Sequence, residues 1–178
     1  MRIISGKYKG RHIPLLKGFP SRPTTDFAKE NIFNVLHNTY ELDGLAVLDL
    51  FAGTGSISYE FASRGCKVVS VEKDFKSVEF IKTSIKKLGA EELITAYKSD
   101  VFRYIEKTTN KFDLVFADPP YDLENLDKIP EKVFSADIIH PEGWLVLEHG
   151  KNIQFNGNQN LIDTRTYGSV HFSIFEKK

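Results

Sequence analysis

The sequence predicts an α/β fold: a doubly wound, mostly parallel seven-stranded sheet with a C-terminal antiparallel hairpin and a small N-terminal β-hairpin. Three observations carry this. From Leu45 onward, short apolar runs alternate with stretches of helical periodicity over about 100 residues, the pattern of βαβ units around a parallel sheet. The first run ends in a glycine turn, Gly53-Thr54-Gly55, that opens a helix. The fourth, Phe112–Ala117, ends in Asp118-Pro119-Pro120-Tyr121. Two prolines offer no N–H to a ladder, so the chain must leave the sheet there, at its carboxyl edge.

The elements follow in order. Arg2 to Leu16 reads as a small hairpin, with turn chemistry from Gly6 and Gly10 between short apolar pieces. Pro14 to Pro23 is irregular. Thr25 or Asp26 then caps a helix whose apolar face is Phe27, Ile32, Phe33, Val35 and Leu36. Ala46–Leu50 is the first strand, and its helix runs from about Ser56 to Arg64, closed by Gly65. Lys67–Val71 is the second strand, ending in Glu72. A helix with Val78, Ile81, Ile85 and Leu88 on one face follows, stopped by Gly89. Leu93–Lys98 is a weaker third strand, and a short helix from about Phe102 to Thr108 leads to the fourth. Beyond Tyr121 a polar helical segment is broken or started by Pro130. Pro141-Glu142-Gly143 reads as a turn, Trp144–Glu148 as the fifth strand, residues 150–160 as a loop, and Leu161–Thr166 with Val170–Phe175 as the terminal hairpin.

Two units are expected: a basic N-terminal extension over residues 1–22 and an α/β domain over residues 23–178. Six of the 24 basic side chains (Arg2, Lys7, Lys9, Arg11, Lys17, Arg22) lie in the first 22 residues, which hold no acid; the other 18 face 24 acids. A basic arm on a mildly acidic body suits a polyanionic partner, although a solvated flap has the same composition. Tyr8 among these cations either stacks on a base or packs onto the body. No apolar run approaches a bilayer span and the N-terminus lacks a signal peptide's apolar core, so a cytoplasmic protein without membrane contact is expected. The single cysteine, Cys66, excludes an internal disulfide framework. The five histidines show no metal-ligand spacing, and no metal is expected.

Right-handed crossovers put strands one and four side by side, so the glycine turn and Asp118 share one crevice. Glu72, nineteen residues after Gly53, sits where a carboxylate accepts ribose hydroxyls. Asp49 would be unusual beside a pyrophosphate but suits the ammonium of an amino-acid ligand. Together these favour S-adenosylmethionine over a nicotinamide dinucleotide. Asp100 either takes the adenine amino group, with Val101 or Phe102 against the ring, or caps the following helix. At the other motif, Asp118 and the Pro119 carbonyl can accept both hydrogens of an aromatic NH2 and localise its lone pair, while Tyr121 stacks on the base. Arg22 before a helix start could meet a phosphate, and Thr24 and Thr25 either cap or bind.

Asp49-Leu50-Phe51-Ala52-Gly53-Thr54-Gly55 with Asp118-Pro119-Pro120-Tyr121 resembles the class I S-adenosylmethionine-dependent amino-methyltransferases. Arg2-Ile3-Ile4-Ser5-Gly6, Gly10-Arg11, Arg22-Pro23-Thr24-Thr25-Asp26 and Asn31–Leu36 narrow this: they resemble the bacterial 16S rRNA guanine-N2 methyltransferases. The resemblance implies methylation of N2 of one guanine in small-subunit rRNA, on a small ribosomal subunit or its assembly intermediate, by a monomer. It places Asp49, Phe51, Gly53, Gly55, Glu72 and Asp100 at the cofactor, where Val101 and Asp118 are also expected. Asp118, Pro119, Pro120 and Tyr121 fall at the target amine, and Arg2, Lys7, Tyr8, Lys9, Arg11, Arg22, Thr24 and Thr25 on the RNA side. A DNA adenine-N6 methylase shares the tetrapeptide but usually carries a recognition domain for which little chain remains. A non-catalytic RNA-binding assembly factor would not need intact Gly53, Gly55 and Asp118.

Overall fold

The computed structural model of the chain describes residues 1–14 and 25–178. Among the described residues, thirteen elements build the fold: α1 (Asp26–Thr39), β1 (Ala46–Leu50), α2 (Ser56–Ser63), β2 (Lys67–Glu72), α3 (Phe75–Leu88), β3 (Ile94–Lys98), α4 (Val101–Lys107), β4 (Phe112–Ala117), a 3-10 turn (Leu126–Lys128), α5 (Ile129–Ser135), β5 (Ile139–His149), β6 (Leu161–Tyr167) and β7 (Val170–Glu176). The sheet order is β3-β2-β1-β4-β5-β7-β6. The first five strands are parallel; β7 is antiparallel to β5, and β6 to β7. Crossovers run outward from β1 on one side and from β4 on the other, so the switch point lies between them.

Each central strand is buried on both faces, as its unbroken apolar run requires. Alternate residues of β1 and β4 feed two apolar clusters. Val47, Leu114 and Phe116 pack with α1, α2 and α3 through Ile32, Phe33, Ile57 and Ile81. Leu48, Leu50 and Val115 pack with α4 and α5 through Val101, Ile105, Ile129 and Val133. Local chemistry sets the helix ends. Thr25 Oγ1 accepts from the Ala28 N–H, Asp74 caps α3 through the Ser77 N–H, and Gly89 closes α3 at φ 66°.

Three expectations change in detail, and the alternative left open at Pro130 is decided. Phe27 is 63% exposed, because the buried stripe of α1 runs through Ala28, Lys29, Ile32, Phe33 and Leu36 and Phe27 falls one residue off it. The turn read at Pro141-Glu142-Gly143 lies inside β5 as a bulge: Phe112 pairs with Ile139 and Leu114 with Trp144, leaving four residues of β5 opposite one. Pro130 starts α5 rather than breaking it. The N-terminal hairpin survives as a single antiparallel bridge, Arg2 with His12, because its tip turns away to bond α2.

That tip is anchored. The Lys7 and Tyr8 N–H groups donate to Ser63 O and Ser63 Oγ, and Ile4 N–H donates to Glu60 Oε1. Ile3, Tyr8 and Ile13 join the α1-side core, while Lys7, Lys9 and Arg11 remain exposed. Residues 1–14 thus present their cations from a fixed loop.

Candidate active site

The site is assembled where β1 and β4 end. Leu50 pairs with Ala117, and the Asp118 N–H donates to Leu50 O at 3.3 Å, so the glycine turn and the Asp118 loop leave the sheet side by side. The turn is held to β2 as well: Ala52 N–H donates to Val71 O, and Gly53 N–H to Glu72 Oε2 at 3.0 Å. Phe51 has a φ of 60°, a left-handed conformation that costs a non-glycine residue about 1 kcal/mol or more and concentrates at ligand sites. Gly55 needs its φ of 82°, and a Cβ there would lie 2.7 Å from the Tyr59 ring. It opens α2 with no side-chain cap, leaving helix N–H donors at the floor of the crevice.

These residues fit S-adenosylmethionine by the chemistry of the donor set. The uncapped start of α2 offers N–H groups to an amino-acid carboxylate. Glu72 is half-buried, accepts from Gly53 and from the Asp74 N–H at 2.8 Å, and retains acceptor sites for a ribose diol. Phe51 and Phe102 meet edge to face at 6.3 Å beside buried Val101, giving an apolar wall for a purine. Asp100 is exposed at that wall and caps α4, accepting from the Arg103 N–H at 3.0 Å, which is the capping reading.

Asp49 lies deeper than these groups: it is 1% exposed and accepts from Ser58 Oγ, which also meets Ser70 Oγ. Its register partner is Phe116, two residues short of Asp118, so it sits one pleat below the rim under α2. Burial pushes its carboxyl up to about 7 against the lowering effect of Ser58.

On the amine side, Asp118 is half-buried, Pro119 buried, Pro120 and Tyr121 exposed. The Tyr121 ring packs on Gly150, where a Cβ would come within 3.3 Å, and its hydroxyl donates to Glu148 Oε1 at 2.9 Å. Glu148, at the end of β5, is 4% exposed. Burial and the charges of Glu148 and Asp118 raise the Tyr121 phenol well above its usual range.

Of the residues assigned to the RNA side, Lys7, Lys9, Arg11 and Thr25 are exposed, and Arg2 is exposed beside Asp26 at 3.9 Å. Tyr8 does not face solvent: it is 3% exposed and its hydroxyl donates to Gly89 O, so it packs onto the body and offers no face to a base. Arg22 and Thr24 lie outside the described residues.

Sequence reasoning missed two groups. Glu148 carries the same signal as Asp118, an acid ending a buried strand, but no neighbouring proline marks it. Lys29 is a cation on the buried stripe of α1. Its Nζ reaches Ser56 Oγ at 3.3 Å, Arg2 O at 3.4 Å, Asp26 at 3.3 Å and Glu60 at 3.5 Å, tying the N-terminal loop and α1 to the start of α2.

Comparison with known proteins agrees with this geometry. A Bacillus subtilis protein named "Putative rRNA methyltransferase YlbH" is 33% identical over the full length of both chains. "Ribosomal RNA small subunit methyltransferase D" of Buchnera aphidicola is 30% identical over 98% of this chain and 91% of its own. The solved structure of a hypothetical protein from Thermus thermophilus superposes with a TM-score of 0.87 at 26% identity over 99% of each chain. A family model described as Conserved hypothetical protein 95 matches residues 1–176. The chain therefore belongs to that family, and with it to the methyltransferases.

Proposed function

We propose that this chain methylates the exocyclic N2 amine of a specific guanine in 16S rRNA, on a small ribosomal subunit or its assembly intermediate, as a cytoplasmic monomer. The observation that carries the reading is the adjacency of β1 and β4, which sets a cofactor-shaped glycine turn against an amine-shaped Asp118 loop. The relatives named as rRNA methyltransferases support the RNA substrate.

When bound, S-adenosylmethionine supplies an electrophilic methyl group on a sulfonium. The chain's residues position the amine. The target base is flipped into the crevice. Asp118 and the Pro119 carbonyl accept the N2 hydrogens and draw the nitrogen lone pair out of conjugation. Tyr121, fixed by Gly150 and Glu148, stacks on the ring. Asp118 need not remove a proton before attack, because transfer relies on alignment more than on a strong base. Arg2, Lys7, Lys9, Arg11, Arg22, Thr24 and Thr25 serve the RNA backbone.

Mass mapping of rRNA from cells with and without the gene tests the reading. One N2-methylguanine in 16S rRNA should vanish with the gene and return when purified protein acts on the deficient small subunits. An unchanged rRNA map, with transfer to duplex DNA or to a peptide instead, would overturn it.

A further inference from the structure

Phe27 is 63% exposed in the first turn of α1, and the reaction described so far gives it no task. A single exposed apolar side chain needs no explanation. Phe27 is not single: its ring meets that of Tyr167 edge to face, with centroids 6.2 Å apart. Tyr167 packs in turn on Phe172, and Phe172 on Phe116, at 6.1 and 6.0 Å. Phe116 lies on β4, two residues before Asp118. Three ring contacts thus fix the outermost ring to the strand that delivers the amine-binding loop.

Register places the pair at the crevice. His149 ends β5 level with His171, and Tyr167 pairs with Val170 across the turn that precedes it. The β6–β7 turn therefore stands over the carboxyl edge of the sheet, where the glycine turn and the Asp118 loop also leave it. The start of α1 reaches the same edge, because Lys29 Nζ donates to Ser56 Oγ at the opening of α2. Arg2 brings a guanidinium there, 3.9 Å from Asp26, the residue before Phe27. Three strand steps separate β4 from β6, about 14 Å, or about four stacked nucleotides.

We propose that Phe27, braced by Tyr167, stacks on an unpaired base of the rRNA within a few nucleotides of the flipped guanine. The inference rests on the rRNA reading above and adds a substrate-binding surface to it. Flipping breaks the stacks on either side of the target, and an aromatic face at the rim replaces one of them.

The test uses the full-length protein and small ribosomal subunits from cells without the gene. Phe27→Ala and Phe27→Leu should each weaken binding about ten-fold, whereas Phe27→Trp should stay within about two-fold of the wild type. S-adenosylhomocysteine affinity and the salt dependence of binding should hold in all three, because the contact is neither at the cofactor nor ionic. A Phe27→Leu variant that binds like the wild type would mean apolar packing without stacking and would overturn the inference. With p-benzoylphenylalanine in place of Phe27, irradiation should join the protein to 16S rRNA near the methylated guanine. An adduct on a ribosomal protein, or no adduct, would overturn it as well. A wild type that methylates the guanine but binds no worse as Phe27→Ala defeats this inference alone. A wild type that methylates no RNA defeats the parent reading, and this one with it.

Discussion

Asp49 and Asp118 end adjacent strands, yet their carboxylates meet opposite surroundings. Register decides this: Asp49 is level with Phe116 and sealed by Ser58, Ser70 and α2, whereas Asp118 stands at the rim. The difference has a pH signature. With its folded-state pKa raised from 3.8 to about 7, Asp49 holds its proton in the folded chain and loses it in the unfolded one between these values. Its contribution is fully present below about pH 4 and lost as pH rises through about 7, on the order of 4 kcal/mol in total. Urea unfolding of wild type and Asp49→Asn at pH 4.5 and pH 8 should show the wild type losing ground to the variant at the higher pH; a constant gap would contradict it. The sequence marks both acids as strand ends. It does not reveal depth, because one pleat of register separates a rim carboxylate from a sealed one. Tyr8 misled for a related reason: cations flank it in sequence, but the loop's bonds to Ser63 turn its ring inward.

At the level of elements, the N-terminal loop is fastened to α2 by backbone contacts that leave no room. A Cβ on Gly6, at φ 80°, would lie 1.9 Å from the Ser63 carbonyl oxygen, whereas one on Gly10, at φ 78°, meets nothing within 4 Å among the described residues. Gly6→Ala should therefore cost about 2–4 kcal/mol and release the loop, while Gly10→Ala should cost about 1 kcal/mol from backbone strain alone. Denaturation midpoints decide between this and a loosely tethered arm, for which both substitutions would cost the same. Strand and helix limits were legible because buried apolar runs, glycine stops and a threonine cap all act locally. The β5 bulge was not: Pro141 and Gly143 signal a turn, and only pairing with β4 and β7 keeps the chain in the sheet.

For the whole molecule, topology does the chemical work, since the switch point brings together motifs more than sixty residues apart in the chain. That juxtaposition was legible in advance from the handedness of crossovers. Lys29 was not, because a buried cation on an apolar stripe makes sense only once Glu60, Asp26 and Ser56 surround it. The anchored loop also predicts how the molecule meets RNA. Neutralising Lys7, Lys9 and Arg11 together should lower the slope of log affinity against log salt by about 2, with cofactor binding unaltered; an unchanged slope would mean that the loop touches no phosphate. The account's central claim is that a methyl donor over the glycine turn faces an amine held by Asp118. Single-turnover methyl transfer to small subunits by Asp118→Ala, with S-adenosylmethionine affinity measured on the same preparation, tests it most directly. The account predicts transfer reduced at least about 100-fold with affinity within about three-fold of wild type, the size expected when a preorganised acceptor is removed from the transition state. Turnover near the wild-type rate would contradict it.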